Sequence, residues 1–321
     1  MTSSFGSAGH TASASFLGVP RASLDDLGDA RAAIVGAPFD WGTTGRPGAR
    51  MAPKAIREGD YLDPDGKRPR LETGIDPLTT LAVVDVGDVD LVPGYTEESI
   101  ERIRTVTRTI AAAGVAPVVL GGDHTVTFPS AGGVADAYGH GSVALVHFDA
   151  HADTGESHYG MLHGHGTPMR RLIESGAVPG HRFVQIGLRG YWPPPEVVSW
   201  MAEQGMRSFL MSEIAERGLD AVVDDAVTRA ADGVDAVYVS VDIDVVDPGM
   251  APGTGTPEPG GLLARELLDT VRRLGRDLNV VGADVVEVAP VYDGPGEITV
   301  RLANRVVLEL LNGMAERTLG G

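Results

Sequence analysis

No cysteine occurs among the 321 residues. Disulfides, thiolate nucleophiles and Cys-ligated zinc or iron–sulfur sites are thereby excluded. Positive charge is also scarce: 26 Lys and Arg face 44 Asp and Glu, a formal net charge of −18. That balance argues against nucleic acid or an anionic membrane as a partner and weakly favours the approach of a small cation. No apolar run approaches the roughly 18 residues of a membrane span. Residues 1–16, rich in Ser, Gly and Ala, lack the basic start and apolar core of a secretory leader. Residues 1–20 are therefore expected to form a flexible tail, followed by one domain over 21–321 in a cytoplasmic protein. At 43% hydrophobic residues, that domain can bury a full core.

What is present is an alternation. Short apolar runs at 32–35, 81–86, 115–120, 142–148, 182–186, 236–241 and 280–286, with a weaker one at 206–210, are predicted strands. Helices are predicted at 53–60, 97–113, 125–138, 168–174, 195–204, 220–231, 263–274 and 299–314, two of them opening on acids as helix N-termini prefer. This order predicts a single α/β domain with a mostly parallel sheet. Gly- and Pro-rich loops at 39–51, 155–167, 190–195 and 248–261 each follow a strand. All four should leave the sheet edge where such folds bind their ligands.

Three clusters of ligand-type side chains fall at that edge. The segment HFDAHADT places Asp149, His151 and Asp153 at alternate positions after one strand; GGDH places His124 after another; Asp242 and Asp244 close a third. Singly, each has a bland explanation, since an Asp at a strand end is often a helix cap, as Asp123 is expected to be. Together they concentrate too much like charge for packing alone, because buried unpaired carboxylates are costly. Eight of the nine histidines lie between His124 and His181. Ligand counting gives room for two divalent ions. Asp149 and Asp242 would bridge, His124 and Asp153 would complete one ion, and His151 and Asp244 the other, with Asp123 orienting ligands nearby. Two such ions about 3.5–4 Å apart acidify a shared water, which points to metal-assisted hydrolysis.

These motifs resemble the ureohydrolase family of arginases and agmatinases, on its agmatinase-like branch. The resemblance runs from GAPFD at 36–40 and GAR at 48–50 through GGDH, FDAHADT, HGTP at 165–168 and SVDIDVVDPGMAPGTGTPEPGG at 240–261 to VVEVAP at 285–290. It implies a three-layer α-β-α sandwich around a mostly parallel eight-stranded sheet, two Mn²⁺ per chain, and a homo-oligomer of three or six subunits. It also implies that Glu287 grips the substrate guanidinium, whose forked donors suit a carboxylate. His165 corresponds to a mobile proton shuttle, with His163 as the alternative. Asp153 would orient the attacking hydroxide as well as bind metal. The implied reaction releases urea and a primary amine.

For the substrate, agmatine, giving putrescine and urea, stands first. Guanidino acids, as for guanidinobutyrase, guanidinopropionase or proclavaminate amidinohydrolase, are the alternative. Tyr159 and Met161, with Tyr191 and Trp192, are candidates to wall the alkyl chain; Glu156 would meet an ammonium, and Arg46, Arg170 or Arg189 a carboxylate. Two further readings compete. A zinc deacetylase-like amide hydrolase would show adjacent histidines, and none occur. A non-catalytic metal-binding subunit would have lost a ligand, and all six are present.

Overall fold

The computed structural model describes residues 15–320. Continuous apolar runs become strands buried on both faces, as a parallel sheet requires, except in the two half-buried edge strands. In chain order they are β1 Ala32–Gly36, β2 Val84–Asp88, β3 Ala116–Leu120, β4 Ala144–Phe148, β5 Phe183–Leu188, β6 Arg207–Leu210, β7 Val237–Asp242 and β8 Val280–Val286. Every pairing is parallel, in the order β2-β1-β3-β8-β7-β4-β5-β6. All carboxyl ends therefore share one edge. The chain goes from β1 out to β2, returns to β3 inside β1, crosses to β4 and runs outward through β5 to β6, and β7 and β8 then fill the gap. The central strands β3, β8, β7 and β4 thus surround the point where the winding reverses. Ligands of open α/β sheets bind at that point.

Helices cover both faces. They are α1 Ala52–Glu58, α2 Pro77–Thr80, α3 Thr96–Ala112, α4 Thr127–Tyr138, α5 Pro168–Glu174, α6 Pro195–Glu203, α7 Met211–Arg217, α8 Leu219–Ala230, α9 Ala264–Asp277 and α10 Ile298–Gly320. On one face α1, α8, α9 and α10 pack over Ile34, Val118, Val146 and Val239. The other face carries α3, α4 and α5 over Val119, Leu145, Phe183 and Tyr238. Alternation along each strand sorts its residues between the two cores. The expected α-β-α sandwich and eight-stranded sheet are both found. Among the described residues no helix is long and apolar enough to cross a membrane.

Three local expectations are corrected. Residues 15–20, placed in the tail, are packed: Phe16 and Leu17 are buried in the core, and the Phe16 amide donates to Asp85 at 2.7 Å. The rest of that expectation, residues 1–14, lies outside the described residues. The strand expected at 81–86 starts later, because Leu81 closes α2 and Ala82 adopts φ 46°, which breaks an extended chain. The short helices α2 and α7 were not anticipated; α2 is four residues capped by Asp76, whose side chain accepts the Leu78 amide.

Candidate metal centre

Each ligating segment leaves its strand through a tight local turn. After β3, Asp123 caps a single helical turn by accepting the Thr125 amide at 2.9 Å, which turns His124 inward. Gly122 is required there, since a Cβ would sit 1.7 Å from the Phe39 carbonyl oxygen. After β7, Asp242 caps the next turn through the Asp244 amide at 2.8 Å. After β4, Asp153 takes φ 51°, and after β8, Glu287 takes φ 60°. Left-handed backbone is unfavourable for both side chains and is held by the surroundings, a pattern that concentrates at functional sites.

The six expected ligands converge. His124 Nδ1 lies 2.9 Å from Asp153 Oδ2 and 3.1 Å from both Asp149 Oδ2 and Asp242 Oδ2. His151 Nδ1 lies 3.1 Å from Asp244 Oδ2 and 3.4 Å from Asp149 Oδ1. Thus Asp149 reaches both histidines. Asp242 meets His124 but shows no such contact to His151, so its expected bridging role is less evident in the geometry than that of Asp149.

The donor set fits a divalent cation. His124 Nδ1 is buried and faces three carboxylate oxygens, yet none accepts from it in hydrogen-bond geometry. Its other nitrogen is engaged, with Nε2 3.0 Å from Ser240 Oγ. Burial and the like charges of Asp244 and Asp149 push Asp242 well above the usual carboxylate range. Burial acts to lower His151, but Asp244 and Asp149 override it and raise the ring to about 12. Crowded carboxylates that force protons onto their neighbours are the electrostatic mark of a site made for cations. Asp149–His151–Asp244 and His124–His147–Asp149 are groups whose ligand atoms lie within 4.8 Å of one another.

Beside this cluster, Glu287 Oε1 accepts the His124 amide at 2.9 Å and lies 3.1 Å from His165 Nδ1. His165 Nε2 meets Thr44, 2.8 Å from its Oγ1 and 3.2 Å from its amide N. Burial lowers the His165 pKa, but the Glu287 charge prevails and raises it to about 9. The Thr44 N–H directed at Nε2 works against that second proton. Thr44 was not singled out from the sequence; its loop was, as one leaving the ligand edge. His163 faces elsewhere, stacked on Phe128 at 5.5 Å and 15°.

Asp123 is the cap it was expected to be, and its other oxygen has a second task. Its carboxylate accepts the Gly42 amide at 2.8 Å and the Thr43 hydroxyl at 3.2 Å, and so holds the loop that carries Thr44. Of the candidate tail contacts, Arg170 is tied to Glu174 at 2.9 Å and stacked over Trp200. Arg189 donates to the carbonyls of Gly187, Asp244, Val245, Glu258 and Pro259, a structural pin. Arg46 lies over the Tyr292 ring at 3.9 Å. Tyr159, Met161, Tyr191 and Glu156 are exposed, while the His158 ring lies 5.9 Å from Trp192 and 6.4 Å from His165. His147 is a buried residue that sequence reasoning passed over: its Nε2 is 2.8 Å from Asp149 Oδ2.

A doubly wound parallel sheet with groups of His and carboxylate side chains that could hold a metal at its winding reversal, beside a buried Glu–His pair, is the arrangement of a hydrolase with a metal-binding site. Comparison with known proteins supplies the family. The model of the Arginase family matches residues 30–312. Proclavaminate amidinohydrolase of Streptomyces clavuligerus is 42% identical over 279 residues, 87% of this chain and 86% of that protein. Its solved structure superposes with a TM-score of 0.85 at 38% identity, covering 94% of this chain and 97% of that one. Mitochondrial agmatinase of Gallus gallus is 42% identical over 282 residues, 87% of this chain and 80% of that protein. A variant of Trypanosoma cruzi formiminoglutamase, solved with Mn²⁺, gives a TM-score of 0.81 at 27% identity, covering 90% and 94%. The chain belongs to the Arginase family, and the resemblance carried by its motifs is borne out.

Proposed function

We propose that the protein is a manganese-dependent ureohydrolase that holds two ions per chain and converts agmatine and water to putrescine and urea. The observation that carries this reading is the adjacency of Glu287 and His165 to the cluster around His124 Nδ1. His124, Asp149, His151, Asp153, Asp242 and Asp244 would hold the ions. The Mn²⁺ in the Trypanosoma cruzi relative supports that metal. When bound, the ions would supply the charge that acidifies a water molecule for attack on the guanidinium carbon.

The protein's own groups do the remainder. Glu287 accepts guanidinium N–H bonds and fixes the carbon in front of the cluster. Asp153 accepts a hydrogen bond from the attacking water and orients it. Attack forms a C–O bond; collapse breaks the C–N bond to the alkyl chain. His165 delivers the proton to the departing amine. Tyr159 and Met161, at the exposed turn closed by His158 and Met161, would cover the alkyl chain once substrate enters.

A second substrate reading, a guanidino acid, is favoured by Arg46. Its guanidinium lies over Tyr292, and its carbonyl oxygen is 3.0 Å from where a Cβ on Gly255 would stand, itself 3.5 Å from Glu287 Oε2. A positive group near the substrate carboxylate would suit such a tail. Urea release from agmatine, 4-guanidinobutyrate, 3-guanidinopropionate and arginine, with Mn²⁺ supplied, separates the two readings. Metal-loaded protein inert on all four would revive the non-catalytic one. The reading also takes the protein as a cytoplasmic homo-oligomer, tested by light scattering of the purified chain and by cell fractionation.

A further inference from the structure

One layer below the ligating carboxylates, the sheet carries a row of polar side chains. Ser208 on β6, Gln185 on β5, His147 on β4, Ser240 on β7 and Asp284 on β8 are register partners across five neighbouring strands. Alternation puts the row on the α3–α4–α5 face, the face to which Asp149 and Asp242 also belong two residues further on. All but Ser208 are fully buried. Polar groups so placed are costly unless each finds a partner in the right direction.

The half of the row from β6 to β4 has its directions fixed. Ser208 Oγ donates to Gln185 Oε1 at 2.8 Å, and Gln185 Nε2 donates to the Ala152 carbonyl at 2.8 Å. A carbonyl oxygen accepts only a donor, so Ala152 decides which end of the Gln185 amide is NH₂. That same NH₂ lies 3.0 Å from His147 Nδ1, which must present a lone pair to it. The proton of the neutral ring then sits on Nε2, 2.8 Å from Asp149 Oδ2. Asp149 Oδ1 meanwhile accepts the His151 amide at 2.6 Å. One hydrogen bond on each oxygen sets the plane of the carboxylate and leaves each oxygen a lone pair for a cation.

We propose that Gln185 is a positioning residue: acting through His147, it fixes the hydrogen bond that orients the Asp149 carboxylate toward metal. The inference rests on the reading of Asp149 as a metal ligand. Hydrogen-bond partners behind metal ligands typically govern affinity by about 10–100-fold. Gln185→Leu, close in size but without a donor, should weaken Mn²⁺ binding by about that factor in titration calorimetry. Ser208→Ala, which removes only the group that accompanies the amide lock, should weaken it less.

Two further readouts separate positioning from plain stability. The thermal midpoint without metal should fall less in Gln185→Leu than the midpoint with Mn²⁺. In wild-type protein with ¹⁵N-labelled histidine and Mg²⁺ in place of paramagnetic ions, His147 should carry its proton on Nε2. A protonated Nδ1 would overturn the proposal, and that measurement stands even if Gln185→Leu does not fold. Unchanged Mn²⁺ affinity in a folded Gln185→Leu would overturn it as well, leaving the ureohydrolase reading intact. Wild-type protein that takes up no metal would overturn both.

Discussion

His165 Nδ1 stands 3.1 Å from Glu287 Oε1, the same oxygen that accepts the His124 amide at 2.9 Å. Glu287 thus joins the proposed proton carrier to the backbone of a proposed ligand, and both bonds fall on one oxygen. The other oxygen, Oε2, lies toward Gly255. This division of labour leaves Oε2 as the oxygen that the proposed function assigns to the substrate.

Glu287→Gln keeps the size of the side chain and removes its charge. Truncating one partner of a buried charge pair costs about 2–5 kcal/mol, so kcat/KM for the guanidino substrate should fall by roughly 30-fold to several thousand-fold. Metal content, read by elemental analysis, should not change. A variant with full kcat/KM would remove Glu287 from substrate recognition.

Gly255→Ala tests the substrate face. The new Cβ would stand 3.0 Å from the Arg46 carbonyl and 3.5 Å from Glu287 Oε2. The first contact is tight, and the second intrudes on the oxygen proposed to meet the guanidinium. KM should rise several-fold, about 1 kcal/mol of lost binding, with kcat less affected. An unchanged KM would place the guanidinium elsewhere.

Much of this was legible in the sequence for a physical reason. Strands covered on both faces have no use for alternation, so VAL-type runs such as 143–146 and 236–241 stand out as apolar blocks ending in acids and histidines. His147, Gln185, Ser240 and Asp284 escaped notice for the same reason inverted: one polar residue inside such a block reads as an exception. Only the register, which the sequence does not display, shows that the exceptions line up. Phe16 was lost in a Ser- and Gly-rich segment whose composition suggests tail, although its ring fills the core. The cap formed by Asp123 at the His124 turn is local and legible, whereas the hold of its other oxygen on a loop 80 residues away is not.

Acid stability should depend on Asp60. Burial opposes its charge, but Arg305 and Arg68 hold its carboxyl down at about 2, through contacts of 3.0 and 2.8 Å. A carboxyl depressed in the folded state contributes stability above its unfolded pKa of about 3.9 and loses it as pH falls toward 2. Asp60→Asn should therefore cost about 1–3 kcal/mol at neutral pH. Between pH 4 and 2, urea unfolding should show the difference from wild type shrinking. A gap that stayed constant down to pH 2 would contradict the assignment.

The metal site can be divided experimentally by where each side chain sits. Asp149 reaches both His124 and His151, and Asp242 shares the oxygen shell of His124. Replacing either with Ala removes a charge from the centre of the cluster, and metal content and urea release should be lost together. His165→Ala leaves all six proposed ligands in place and removes only the group facing Glu287 and Thr44. It should retain metal and slow turnover by about 10²–10⁴-fold, the usual worth of a positioned acid or base. The two outcomes separate holding the ions from moving the proton. If His165→Ala also emptied the site, His165 would be a support of the cluster, and the proton would have to come from another residue.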